Sequence, residues 1–104
     1  MKDALDRLNA LEIWDFQVER ARDGTLLILG SNDFVYYHNV EIEFSGVEFS
    51  NVRELFSHAE FLLSPSADPD ASVQTIYVLA EGAEYRIRAA AVDVRIGTVH
   101  YTKR

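Results

Sequence analysis

The sequence predicts a mainly β (α+β) domain, in which a single antiparallel meander sheet of about six or seven strands carries a short N-terminal helix. Two observations support this prediction. Several stretches alternate apolar and polar residues at period two, and X-Gly pairs at residues 23–24, 45–46 and 81–82 separate stretches that can pair as hairpins. A sheet of this kind is expected to curl into a sandwich or a partly open barrel, and 104 residues are the length of one domain, 1–104.

Composition and charge exclude several classes of function. A hydrophobic fraction of 48% is enough to form a core, and the absence of cysteine excludes disulfides and thiolate metal sites. The N-terminus lacks the apolar segment of a signal peptide, and no apolar run is long enough to span a membrane, so we expect a cytoplasmic protein. The net charge of −7 argues against nucleic acid and anionic membranes as partners.

The first part of the chain predicts a helix over residues 3–11, followed by strands over residues 13–50. Leucines at positions 5, 8 and 11 recur at helical spacing, and the period then changes to two. The Asp23-Gly24 turn predicts a hairpin that sets Val18 opposite Leu29 and Arg20 opposite Leu27. Since the segment TLLILG is apolar on both faces, we expect its strand to be central or covered by a helix.

The stretch FVYYHNVEIEFSGVEF, residues 34–49, predicts a second hairpin around Ser45-Gly46. The even positions of its first strand form an apolar face that also contains His38, and the odd positions form a polar face. The register around the turn sets Phe44 opposite Val47 and Glu43 opposite Glu48. On this register Glu41, Glu43 and Glu48 share the outer face.

The segment at residues 51–63 is consistent with either a helix or a strand, and the helix is favoured. Asn51 and Glu54 have the spacing of a helix-capping box, and the apolar residues after them follow helical periodicity. A bulge near Ser50 would instead allow the preceding strand to continue through this segment. Residues 64–72 contain both prolines and predict a surface loop.

A third hairpin is predicted at residues 73–101, with its turn at Glu81-Gly82. The register sets Ile76 opposite Ile87, and the apolar parity shifts after that point, which indicates a bend within residues 89–91. The outer face of this hairpin carries Arg86 and Arg88. We therefore expect Glu41 and Glu43 to form ion pairs with these two arginines across neighbouring strands.

No arrangement of residues in the sequence indicates catalysis, a cofactor or a metal. The three histidines have no metal-binding spacing, the serines lie outside a nucleophile motif, and the glycines form no phosphate-binding loop. We therefore expect a protein that is not an enzyme. The best candidates for a ligand pocket are His38 and the aromatic residues that a curled sheet would bring near it, Tyr36, Trp14, Phe16 and Tyr85.

The expected function is that of a binding domain whose acidic face, formed by Glu41, Glu43 and Glu48, contacts another protein, with a basic protein as the favoured partner. In general size and charge the chain resembles the small, acidic, β-rich bacterial domains that include toxin-neutralising immunity proteins. It implies a domain that docks on or neutralises its partner. The alternative is a small-ligand-binding β domain with an apolar pocket near His38. The oligomeric state stays open, with a homodimer among the alternatives.

Overall fold

A computed structural model describes residues 1–65, 68 and 70–101. This part of the chain contains one helix and nine strands. The strands form two antiparallel sheets, with strand orders β5-β1-β2-β3-β9 and β4-β8-β7-β6. The elements are α1 (Lys2–Asn9), β1 (Asp15–Arg22), β2 (Thr25–Ser31), β3 (Tyr37–Ser45), β4 (Phe49–Ser50), β5 (Leu55–Ser57), β6 (Glu60–Leu63), β7 (Gln74–Ala80), β8 (Ala83–Ala89) and β9 (Ala91–His100). The predicted class, mainly β with a short N-terminal helix, is confirmed. The strands form the two layers of a sandwich instead of one continuous meander.

The core lies between the two sheets and is closed by α1. Alternate residues of β3, Val40, Ile42 and Phe44, are fully buried, because one face of this strand is turned towards the second sheet. Leu5 and Leu8 of the helix join the same cluster, and the helix contacts β6 and β9. The alternation that predicted a half-buried strand therefore reflects a real division between an inner and an outer face.

The first hairpin has the predicted register only near its turn. Arg20 lies opposite Leu27 as expected, but a β-bulge at Glu19 places Val18 opposite Ile28 instead of Leu29. The extra residue keeps the side chain of Val18 on the core side of the sheet and leaves Glu19 exposed. Strand β2 lies in the middle of its sheet, which confirms the prediction made from its two apolar faces.

The predicted hairpin at Ser45-Gly46 is wrong, because the chain crosses there from one sheet to the other. Strand β3 pairs with β2 and β9, so that Phe44 lies opposite Val92, and the short β4 pairs with β8. A Cβ atom on Gly46, whose φ is +61°, would lie 2.6 Å from the Cβ of Ala90. Ala90 is the point at which the chain crosses back between β8 and β9, which is the bend predicted from the change of parity.

The third hairpin has the register that the sequence predicted. Ile76 lies opposite Ile87, Thr75 lies opposite Arg88, and both residues of the turn at 81–82 have positive φ. A two-residue turn of this kind matches the twist of the flanking strands. Strands β7 and β8 therefore form the centre of the second sheet.

The favoured helix at residues 51–63 is also wrong, since two short strands, β5 and β6, occupy this segment. The side chain of Phe56 stacks on Phe16 at 5.3 Å between ring centroids, and His58, at a φ of 52°, turns the chain between the strands. Asn51 does not cap a helix; its Oδ1 accepts a hydrogen bond of 2.7 Å from the backbone N–H of Arg86.

The predicted surface loop at residues 64–72 is described only in part, because residues 66, 67 and 69 lie outside the described residues. Asp68 and residues 70–72 are exposed and belong to no strand. The side-chain amide of Gln74 donates a hydrogen bond of 2.7 Å to the carbonyl oxygen of Asp68.

Candidate functional site

The candidate site lies on the outer face of the five-stranded sheet, which is turned away from the second sheet. Leu29 of β2 lies between Gln17 of β1 and Glu41 of β3, and Glu41 lies opposite Arg95 of β9. Directly opposite residues of antiparallel strands share a face, so these four side chains form one row across the sheet. Although Leu29 is outside the core cluster, its side chain is buried. Neighbouring side chains on the outer face therefore cover it.

Three carboxylates of this face share one guanidinium group. The Nε of Arg95 donates to Glu41 at 3.2 Å, and its Nη1 donates to Glu43 at 3.1 Å and to Asp93 at 2.7 Å. The bond to Asp93, followed by those to the two glutamates, raises the pKa of Arg95 above its ordinary value. Part of the acidic surplus on this face is thus neutralised within the chain itself.

The predicted ion pairs with Arg86 and Arg88 are wrong, because both arginines lie on β8 in the other sheet. Arg88 instead approaches Glu48, with 3.5 Å between Nη2 and Oε1. Glu48 precedes β4, and it does not lie opposite Glu43. The structure therefore brings Glu41 and Glu43 together and places Glu48 apart from them.

His38 belongs to the same outer face as Glu41, since it contacts Glu41 and borders a cavity together with Gln17 and Leu29. Its Nε2 lies 2.8 Å from Glu41 Oε2, and its Nδ1 lies 2.9 Å from the hydroxyl oxygen of Tyr101. The side chain is buried, as the sequence predicted, but on the outer side of the sheet and not in the core.

The hydrogen bonds around His38 have a definite direction. The bond from His38, and the bond and charge of Arg95, lower the pKa of Glu41, so this carboxylate is ionised and accepts a hydrogen bond from the Nε2–H group of His38. In the tautomer with its proton on Nε2, the Nδ1 atom of His38 accepts a hydrogen bond from the hydroxyl of Tyr101. Burial, with the charges of Glu19 and Glu41, raises the pKa of Tyr101, so its phenol keeps its proton. Tyr101, His38 and Glu41 therefore form a directed chain of hydrogen bonds.

A surface cavity of about 380 Å³ opens beside this chain. Two residues of the hydrogen-bond chain, His38 and Tyr101, form part of its wall. The rest of the wall is formed by residues of the adjoining strands and loop: Gln17, Glu19, Leu29 and Phe34. Phe34 also borders a second cavity of about 440 Å³, which extends towards Leu55 of β5. Gln17 and Phe34 thus belong to the walls of both cavities.

The predicted pocket residues are not brought together around His38. Tyr36 and Trp14 are 56% and 58% exposed and line neither cavity. Phe16 is buried against Phe56 and borders the second cavity, and Tyr85 lies in the other sheet, 6.3 Å from the Phe56 ring. Of the five candidates, only His38 lines the cavity near the ion network.

Sequence analysis missed most of the cavity wall. The predicted register set Leu29 opposite Val18, and only the bulge at Glu19 places Leu29 opposite Gln17. Tyr101 lies 63 residues from His38, and no local pattern connects them. Its position depends on how β9 pairs with β3, and its own N–H donates to the carbonyl oxygen of Tyr36.

No cluster of three or more His, Asp or Glu side chains that could hold a metal ion occurs within residues 1–65, 68 and 70–101. In the same part of the chain, no helix has the length and apolar character needed to cross a membrane. Comparisons with protein-family models, with curated proteins and with solved structures gave no match. Functional inference for this chain therefore rests on the geometry of its own residues.

Proposed function

We propose that this chain is a non-catalytic binding domain that recognises a basic segment of another protein at the outer face of its five-stranded sheet. The cavity beside His38 receives a lysine or arginine side chain of that segment. Glu41, which is hydrogen-bonded to His38 of the cavity wall, and Glu43, which shares Arg95 with Glu41, supply the acidic surroundings. Glu48 lies outside this surface, so the proposed site is narrower than the acidic face expected from the sequence.

The observation that supports the proposal is the negative potential at the cavity wall. Besides burial, the charges of Glu19 and Glu41 raise the pKa of Tyr101, although Glu41 already has Arg95 as a partner. Within the described residues Glu19 forms no ion pair, and its side chain borders the cavity. A cation that enters the cavity would interact favourably with both carboxylates.

The shape and chemistry of the wall also suit a cation. Phe34 and Tyr101 are aromatic, and a cation that lies over an aromatic face gains about 0.5–1 kcal/mol at exposed sites. A volume of about 380 Å³ lies at the lower end of the range for ligand pockets, which suits one side chain better than a large cofactor.

The protonation state of Tyr101 suits a binding wall. Its pKa is raised, so the phenol is uncharged, and its hydroxyl oxygen lies 2.9 Å from His38 Nδ1. The chain of hydrogen bonds holds the wall of a binding site in place.

Titration of the ¹⁵N-labelled protein with a hexalysine peptide, followed by NMR at low and at high salt, tests the proposal. We expect shifts centred on Glu19, Phe34 and Tyr101 that weaken as salt rises, because exposed charges are screened. Glu19→Gln should weaken binding about fivefold, which corresponds to about 1 kcal/mol for one exposed charge.

The matched control is Glu84→Gln, which removes an equal charge from an exposed position on β8 in the other sheet. It should leave the affinity unchanged. Glu48→Gln separates the narrow site from the wider acidic face: an effect as large as that of Glu19→Gln would favour the wider one. Shifts spread evenly over the surface, with equal losses in all three variants, would refute a defined site.

A second candidate function is the binding of a small organic cation in the same cavity, and the burial of His38 in the cavity wall favours it. This candidate corresponds to the small-ligand-binding alternative that the sequence offered, with the cavity beside His38 as its pocket. A panel of primary amines and quaternary ammonium compounds, assayed by thermal shift and by the same NMR signals, distinguishes the two candidates. Binding of a single amine as tight as that of hexalysine would favour the small ligand.

A further inference from the structure

The edge strands of the two sheets differ in how they are protected. Unpaired edges can recruit strands from other chains, and natural proteins shorten or cover them. Strands β4 and β5 have only two and three residues. The edge of β6 is capped by Asn9, whose amide donates to the carbonyl oxygen of Phe61 at 2.7 Å and accepts from its N–H at 2.9 Å.

The fourth edge strand, β9, has ten residues and no such cap. In the described part of the chain, no backbone hydrogen bond from a loop or from the helix reaches residues 91–100. The strand contains neither lysine nor proline, the residues that most often block an edge. Two of its apolar side chains, Ile96 and Val99, are 50% and 45% exposed.

The sequence of β9 is self-complementary in one antiparallel register. Two antiparallel edges related by a two-fold axis pair residues of the same face, because the axis is perpendicular to the sheet. If the axis passes through Val94, Asp93 lies opposite Arg95 of the second copy, and Arg95 lies opposite Asp93 of that copy. Axes through Asp93 or Arg95 would instead set like charges opposite each other, which is unfavourable.

We propose that β9 is the dimerisation edge of this protein and that its partner is a second copy of the chain, paired antiparallel about Val94. On the inner face this register places Ile96, half exposed in the single chain, against Val92 of the second copy. On the outer face the Asp93 side chain is 67% exposed. Within the described residues Nη2 of Arg95 forms no hydrogen bond, which leaves it for Asp93 of the second copy.

The dimer has a consequence for the arrangement of the binding sites. Because the axis is perpendicular to the sheet, the two five-stranded sheets form one continuous sheet with their outer faces on the same side. Both His38 cavities then open on that side. The edge proposal does not depend on what the cavities bind.

The test measures the mass in solution of the full-length protein and of two charge-reversed variants by light scattering over a concentration series. Wild type should have the mass of two chains. Asp93→Arg and Arg95→Asp should each raise the dissociation constant about tenfold or more, because each sets two like-charged pairs opposite each other. An equimolar mixture of the two variants should form a heterodimer again, because every opposite pair then has opposite charge.

Ile96→Lys keeps the proposal testable if Arg95→Asp fails to fold, since Ile96 takes no part in the ion network. It should weaken the dimer, whereas Glu84→Lys on the second sheet should not. A wild-type protein that stays a single chain at millimolar concentration would overturn the proposal. A dimer that all three β9 variants leave unchanged, or two folded variants whose mixture does not associate, would overturn it as well.

Discussion

Replacement of Glu41 by Gln tests whether the outer-face network stabilises the fold. The carboxylate of Glu41 accepts two hydrogen bonds, from His38 Nε2 at 2.8 Å and from Arg95 Nε at 3.2 Å. Glutamine has one acceptor oxygen, so its NH₂ group takes the place of one of the two carboxylate oxygens. The variant therefore loses the negative charge that strengthens both hydrogen bonds and keeps an acceptor oxygen at only one of the two positions.

The size of the effect follows from the burial of the group. A hydrogen bond to a charged group contributes about 1.5–3 kcal/mol net. The Glu41 side chain is 30% exposed, and solvent screening reduces this contribution. We expect Glu41→Gln to lower the free energy of unfolding by about 1–2 kcal/mol at pH 7.

The effect should depend on pH with a definite sign. The pKa of Glu41 is lowered in the folded state, so its ionised form stabilises the fold fully above the ordinary value of 4.5. This stabilisation is lost as the pH falls through the lowered folded pKa. The difference between wild type and variant should therefore be largest at pH 7 and should shrink below pH 4.5.

Urea denaturation at several pH values between about 7 and about 3.5, followed by circular dichroism, measures this difference, because this pH range covers most of the titration of a carboxylate. Glu60→Gln, which removes an exposed carboxylate from β6, serves as the control and should change stability by less than about 0.5 kcal/mol. If Glu41→Gln lowers the free energy of unfolding by the same amount at pH 7 and at the lowest pH measured, the proposed role of the ionised carboxylate is refuted. A loss no larger than that of the control would refute it as well.

Two further predictions concern the fold. Asn9→Ala should lower the free energy of unfolding by about 1–3 kcal/mol in the same assay, because it leaves the backbone edge of β6 unpaired; an equal loss in Arg7→Ala, at an exposed helix position, would contradict this. Gly46→Ala should lower the free energy of unfolding more than Gly24→Ala does, although both glycines have positive φ. The new Cβ atom at residue 46 meets Ala90 at 2.6 Å, whereas the space around Gly24 is open. The backbone term is about 1–2 kcal/mol in each case, and equal losses would show that the crossover at Ala90 is not tightly packed.

The local hairpins were the part of the fold that sequence could predict. At the first and third turns, Asp23 and Glu81 adopt positive φ before a glycine, as the tight turn requires. At Ser45 the φ is not positive, and only Gly46 has the left-handed conformation. The choice between a turn and a crossover depended on packing against Ala90, which is far along the chain, so the local signal was insufficient.

The segment at residues 51–63 shows a second limit. Apolar residues spaced three and four apart fit a helix, but they also fit two short strands with a turn between them. The contact of Phe56 with Phe16 and the positive φ of His58 decide in favour of strands. Both depend on the tertiary structure, which routinely overrides local propensity.

The candidate site could be predicted in part for the same reason. The alternation in β3 correctly placed Glu41 and Glu43 on one face, and the charge imbalance indicated that an arginine would approach them. The identity of this arginine could not be predicted, because Arg95 lies 54 residues from Glu41 and reaches it only when β9 pairs with β3.

Strand β9 physically connects the proposed binding site with the proposed dimer edge. Arg95 binds Glu41, which contacts His38 of the cavity wall, and would also face the second copy; Tyr101, in the cavity wall, directly follows the strand. A cation bound in the cavity would compete with Arg95 for Glu41 and so favour a shift of the guanidinium towards Asp93 of the second copy. Because coupling between two binding events is reciprocal, dimerisation that draws Arg95 towards the second copy would raise the affinity of the cavity for a cation by the same factor.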